Sequence, residues 1–107
     1  MTPVGEFRLG PCYSTLRGDA DMVELLTQFV GDLPDRLADI RQAAQGQNWQ
    51  EVRRLAHQLR GAGGSYGFPL LTTAAGEVET IAREQTNTAD FRAALDQLTA
   101  ISERLRA

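Results

Sequence analysis

The chain contains very few of the residues that build metal cages and covalent cross-links. Among its 107 residues there is one cysteine, Cys12, and one histidine, His57. A lone cysteine excludes an internal disulfide, and one cysteine with one histidine excludes a Cys/His zinc cage. We interpret Cys12 as a small packed residue rather than a reactive thiol. Any site that requires an imidazole therefore depends on His57.

Long apolar runs and a leader-like opening are also missing. No apolar run approaches the ~18 residues that span a bilayer. The opening segment MTPVGEFRLGPC lacks a basic stretch followed by an apolar one, so we expect a cytoplasmic protein that does not bind membranes. Eleven basic against fourteen acidic residues give a net charge of −3, which argues against nucleic acid as the main partner.

Segments with a period of two, which are typical of half-buried strands, are absent, and helical periodicity takes their place. A chain of this length and composition is expected to form one domain, residues 1–107, around a modest core. Apolar residues spaced three and four apart predict four amphipathic helices. Their predicted ranges are roughly 19–45, 49–64, 69–86 and 89–106. Short connections favour an all-α fold, an antiparallel up-down-up-down four-helix bundle.

The helix boundaries are predicted by capping residues and by breaks in the apolar pattern. Asp19 is a candidate N-cap, Asn48 with Glu51 forms a candidate capping pair, and Thr88 is a candidate cap of the last helix. Pro34 falls inside the first helix, yet the apolar phase continues across it, which favours one kinked helix over two. Residues 1–11 are expected to be loose, and residues 11–17 are a candidate for a short additional helix.

The histidine lies on the polar side of the second predicted helix. At ~100° per residue, Leu55 and Leu59 of the apolar stripe project about 160° to either side of His57. The imidazole is therefore predicted to face away from the core. Four residues lie within about 60° of it on the same projection: Arg53, Arg60, Gly61 and Gly64.

Glycines on that face need an explanation, because glycine within a helix costs ~1 kcal/mol relative to alanine. One interpretation is that Gly63 and Gly64 end the helix. The other is that Gly61 and Gly64 remove side chains so that a partner can reach the imidazole. We expect the stripe to continue through Tyr66 and Leu70, which makes Gly61 a clearance residue and leaves both interpretations open for Gly63 and Gly64.

The surroundings of His57 restrict its chemistry. The positions four residues before and after it are Arg53 and Gly61, so no carboxylate of the same helix orients the ring, as a hydrolase would require. The segment GAGGSYG has no lysine and follows no strand, which excludes a phosphate-binding loop for ATP. The remaining interpretation is an exposed neutral imidazole that accepts a phosphoryl group delivered by a partner.

The segment AHQLRGAGGSYG, residues 56–67, resembles the signature of histidine-containing phosphotransfer (HPt) domains. That signature is A-H-x-L-K-G followed by a glycine six residues on, and Arg60 stands where lysine is more usual. The matching positions are Ala56, His57, Leu59, Gly61 and Gly67. The segments LTQFVGDLPDRLADIRQA, NWQEVRRLAHQLRG and AAGEVE are also similar to HPt segments, so the resemblance covers nearly the whole chain.

The resemblance implies a phosphorelay intermediate in two-component signalling, a carrier without kinase activity of its own. It implies that His57 takes a phosphoryl group from the phosphoaspartate of a receiver domain, in a response regulator or hybrid kinase, or passes it on. It further implies that Arg60 contacts the phosphoryl group or the receiver's acidic pocket, that Gln58 flanks the imidazole, and that Gly61 gives clearance. Arg53 is a further candidate for contacting the anion.

No cofactor is expected on this chain; Mg²⁺ is expected on the partner receiver domain, and the chain is expected to be a monomer. Two alternatives remain at this point. One is a helical module that docks a receiver or a histidine kinase without being phosphorylated. The other is an enzyme that uses His57 as a general base.

Overall fold

A computed structural model describes residues 10–84 and 88–107 and forms a four-helix bundle. The helices are α1 (Val23–Gln45), α2 (Trp49–Ser65), α3 (Pro69–Glu84) and α4 (Thr88–Arg104). The all-α bundle predicted from the sequence is confirmed. The predicted end of the third helix at 85–86 and most of the segment expected to be loose, 1–9, lie outside the described residues.

Helix α1 runs without interruption through Pro34. Its buried residues are those of the predicted stripe: Leu26, Phe29, Leu33, Leu37 and Ile40. The helix is preceded by a 3₁₀ turn, Ala20–Met22, and the Asp19 carboxylate accepts a hydrogen bond from the Asp21 amide there. Because the apolar face stays in phase on both sides of Pro34, burial of that face outweighs the one backbone hydrogen bond that proline removes.

Helices α2 and α3 form the closest pair in the bundle, and each also packs against an outer helix, α1 or α4 respectively. The Asn48 side chain accepts a hydrogen bond from the Glu51 amide, 3.3 Å away, and so caps α2. The connection to α3 turns at Gly67, whose φ of +77° is a left-handed conformation that suits glycine. Leu70, predicted to continue the apolar stripe, is 46% exposed instead, because α3 starts at Pro69 with a new phase.

The chain before α1 does not form the short helix considered for residues 11–17, and strands are present where none was expected. Cys12–Tyr13 (β1) pairs in parallel with Leu105–Arg106 (β2), which ends α4 at Arg104 rather than at residue 106. Two residues are too few to show an alternating pattern, so this pairing could not be predicted from the sequence. The Arg104 Nε donates to the Gly10 carbonyl, which fastens the segment further.

Aromatic residues pack at both ends of the bundle. Phe29 of α1 stacks on Tyr66 with the ring centroids 4.5 Å apart, next to the α2–α3 connection. At the opposite end, Trp49 meets Phe91 edge to face at 5.0 Å. These contacts close the core at both ends. None of the helices in the described ranges is long and apolar enough to cross a bilayer.

A substitution at Leu59 tests which face of α2 packs against the core, because this side chain is 1% exposed and lies opposite the histidine. We expect Leu59→Ala to lower the free energy of unfolding by about 2 to 5 kcal/mol, since it opens a cavity. The matched control is Leu70→Ala, at an exposed leucine, which should change it by less than about 0.5 kcal/mol. Urea denaturation monitored by circular dichroism measures both; equal effects of the two substitutions would show that the inner face is assigned wrongly.

Candidate functional site

His57 projects from the middle of α2 on the side opposite the core, and its side chain is 61% exposed. The inner face of the helix is lined by buried Val52, Ala56, Leu59 and Gly63. Burial of that face fixes the rotation of the helix, and the rotation in turn fixes the direction of the imidazole. The orientation predicted from the helical projection is therefore observed.

A carboxylate that the sequence analysis did not find contacts the histidine. Glu79 of α3 places its Oε2 atom 2.9 Å from the Nδ1 atom of His57, and only 5% of the Glu79 side chain is exposed. The sequence analysis excluded only a carboxylate of the same helix, and the acidic group that contacts the ring comes from α3 instead. The available signal was an acidic residue on an apolar stripe: Glu79 lies among the buried residues Ala75, Val78 and Ala82 of α3.

Two guanidinium groups surround the same carboxylate. Arg60 Nη1 lies 3.1 Å from Glu79 Oε1, and Arg83 Nη2 lies 3.3 Å from Oε2. Arg60 Nη2 also lies 3.1 Å from His57 Nδ1. The site is therefore a cluster of one imidazole, one buried carboxylate and two cations, contributed equally by α2 and α3.

The two contacts at His57 Nδ1 require opposite protonation states. An ionised carboxylate only accepts hydrogen bonds, so the Glu79 contact requires a proton on Nδ1, whereas a guanidinium only donates and requires a lone pair there. We favour the Glu79 bond, because it is the shorter of the two and because the charge of Arg60 is also compensated by its ion pair with Glu79 Oε1. A proton on Nδ1 leaves the lone pair on Nε2.

The other polar residues predicted for the site lie on the exposed surface of α2. Arg53 and Gln58 are exposed on either side of His57, and neither touches the cluster around Glu79. Arg54 points elsewhere and pairs with Glu51. The hydrogen bond from Arg54 is the main reason that the pKa of the Glu51 carboxyl lies below its ordinary value. The structure thus joins Arg60 to the histidine through Glu79 and leaves Arg53 and Gln58 outside that cluster.

The glycines of α2 divide into two kinds. At Gly61 and Gly64, a Cβ atom would meet nothing within 4 Å, and both residues are exposed. At Gly63, a Cβ atom would lie 2.7 Å from Thr72 Oγ1 and 3.0 Å from the Thr72 backbone nitrogen. Since α2 continues to Ser65, neither Gly63 nor Gly64 ends the helix. Gly63 instead allows α3 to approach closely.

No group of three or more potential metal ligands occurs in residues 10–84 or 88–107. A family model described as Hpt domain matches residues 24–107 of the chain. That match covers all four helices, apart from the first residue of α1, and the cluster around His57. Neither a comparison with curated proteins nor one with solved structures gives a match.

The difference between the glycines can be tested by stability. We expect Gly63→Ala to lower the free energy of unfolding by about 1 to 3 kcal/mol, because the new methyl group overlaps the Thr72 backbone. Gly64→Ala is the matched control and should raise it by about 0.5 to 1 kcal/mol, since alanine restricts the unfolded chain and meets open space. Urea denaturation distinguishes the two, and stabilisation by both substitutions would contradict the close approach at Gly63.

Proposed function

The chain belongs to the Hpt domain family, and on that premise we propose that His57 accepts a phosphoryl group from a receiver domain and passes it to another. Hpt domains are phosphocarriers, not kinases, in the phosphorelays of two-component signalling, and they interact with receiver domains. The observation that carries the proposal is the contact of an exposed imidazole with a buried carboxylate through Nδ1. This contact directs the nucleophilic nitrogen, Nε2, toward the solvent side.

The proposed reaction is an in-line displacement at phosphorus. The Nε2 lone pair attacks the phosphoryl group of the receiver's aspartyl phosphate, a P–N bond forms, and the P–O bond to the aspartate breaks. The bonding electrons of that P–O bond remain on the aspartate as a carboxylate, and the Nδ1 proton of His57 stays in its hydrogen bond with Glu79. The reverse displacement passes the group to a second receiver. Mg²⁺ on the receiver would neutralise phosphate charge, and this chain would supply the acceptor nitrogen.

Five further residues have proposed roles in docking and charge neutralisation. Arg60 is close to the ring and half-exposed, so it can turn to the phosphoryl group or to the receiver's acidic pocket. Arg53 and Gln58, exposed beside His57, are proposed to contact the partner. Gly61 and, one turn further on, Gly64 are proposed to give the receiver's backbone room to approach, which is supported by the open space around both. In this proposal the domain acts as a cytoplasmic monomer.

Phosphorylation of His57 is tested by incubating the chain with a phosphorylated receiver domain and measuring intact mass. We expect the wild-type chain to gain one phosphoryl group that is lost in acid, and His57→Gln to gain none. Circular dichroism provides the control, because the exposed position of His57 predicts that the substitution leaves the helices intact. Binding of the receiver without any gain in mass would instead favour a docking module that is not phosphorylated.

Clearance at the histidine is tested by a size series at one position. We expect Gly61→Ala to retain phosphotransfer from the receiver and Gly61→Phe to lose most of it, since the larger side chain occupies the space that the partner needs. Phosphoramidate, a small phosphoryl donor, should still phosphorylate His57 in the Phe variant, which separates obstruction of a protein partner from damage to the ring. Undiminished transfer from the receiver to Gly61→Phe would refute the clearance role.

A further inference from the structure

The carboxylate of Glu79 has more cationic neighbours than the orientation of one imidazole requires. The guanidinium groups of Arg60 and Arg83 both lie beside it, in addition to the neutral imidazole of His57, and its side chain is almost fully buried. A buried carboxylate without a compensating charge is strongly destabilising, so at least one of the two guanidinium groups must stay with it. The geometry indicates which one.

Arg83 differs from Arg60 in the kind of contact that it makes with Glu79, which is a hydrogen bond rather than an ion pair alone. Its Nη2 atom donates a hydrogen bond to Oε2, and it lies one helical turn after Glu79 on α3. Spacing of four residues on one helix keeps the two side chains adjacent whatever happens at α2. Arg60 lies within ion-pair distance of Oε1, yet within the described part of the chain Oε1 receives no hydrogen bond.

The two arginines also differ in what they can do for a partner. Arg60 lies on α2 with the histidine and touches both His57 Nδ1 and Glu79. Arg83 contacts Glu79 alone and makes no described contact with the ring. If Arg60 were the sole cation on Glu79, its departure toward an incoming phosphoryl group would leave the buried carboxylate without a guanidinium. With Arg83 in place, that departure leaves one hydrogen-bonded cation behind.

We propose that Arg83 is a positioning residue for phosphotransfer: it holds Glu79 Oε2 against His57 Nδ1, and its charge frees Arg60 to turn toward the phosphoryl group. This inference rests on the proposed phosphorylation of His57. Arg83 acts only through Glu79, which keeps the proton on Nδ1 and the lone pair on Nε2. The consequence is a division of work, in which Arg83 maintains the orientation and tautomer of the His57 imidazole and Arg60 contacts the phosphoryl group that the partner delivers.

The tautomer of His57 gives a direct readout, because the chain has one histidine and therefore one pair of imidazole nitrogen signals. We expect ¹⁵N NMR of the neutral wild-type ring to show the proton on Nδ1. In Arg83→Met the signals should shift toward the other tautomer, and Arg83→Lys should restore them. The matched control is Arg92→Met, which removes an exposed arginine of α4 and should leave the tautomer unchanged.

Phosphorylation rates provide the second readout. We expect Arg83→Met to slow phosphorylation of His57 by phosphoramidate about tenfold, the effect of losing a charge-assisted hydrogen bond. Arg83→Lys should recover most of that rate. Arg60→Met should keep the wild-type tautomer while slowing transfer from a phosphorylated receiver. A merely structural role for Arg83 would change the unfolding free energy and leave the tautomer as it is.

The outcomes separate this inference from the proposed function. An unchanged tautomer in Arg83→Met overturns the positioning role, even if the wild-type chain is phosphorylated normally. A tautomer shift in Arg60→Met as large as in Arg83→Met overturns the division of work. Failure of both phosphoramidate and the receiver to phosphorylate the wild-type chain, with the tautomer still responding to Arg83→Met, overturns the proposed function and with it the role of Arg83 in phosphotransfer.

Discussion

The close approach of α2 and α3 at Gly63 is the constraint on which the site depends. With no side chain at Gly63, the backbone and hydroxyl of Thr72 reach positions that a Cβ atom would occupy. Each α-helix advances about 1.5 Å per residue, so one such contact fixes the register along two antiparallel neighbours. Arg60 then lies against Gly76, and His57 lies against Glu79. A bulkier residue at Gly63 would separate the helices along the length that brings the imidazole to its carboxylate.

The pairing of an exposed ring with a buried acid suits a group carrier. The carrier nitrogen must be accessible to a protein partner, and this requires His57 to remain on the surface. A surface histidine by itself has two exchanging tautomers and free rotation, whereas the hydrogen bond to Glu79 restricts both. The cations around Glu79 make the buried carboxylate tolerable in the core. The position of His57 on α2 thus provides the exposure of the imidazole, and Glu79 on α3 provides its orientation.

The helices and the outward direction of His57 could be predicted from the sequence, because both follow from periodicity within one segment. The stripe from Leu26 to Ile40 is an example, and its continuity across Pro34 indicated a single helix. The pairing of Cys12–Tyr13 with Leu105–Arg106 could not be predicted, since two-residue strands have no period. Leu70 was placed on the wrong face because the apolar pattern was carried past the point where α3 starts a new phase.

The sequence by itself determined that a lone histidine would stand on the polar face of an amphipathic helix, beside arginines and bare glycines. It also carried the motif by which the family resemblance was recognised. Only the tertiary structure decided what contacts that histidine, because Glu79 is 22 residues away on another helix. The relation depends on the register between α2 and α3, which is fixed by close packing at Gly63 and Thr72. A helical projection describes one helix at a time, and the partner of His57 belongs to the next.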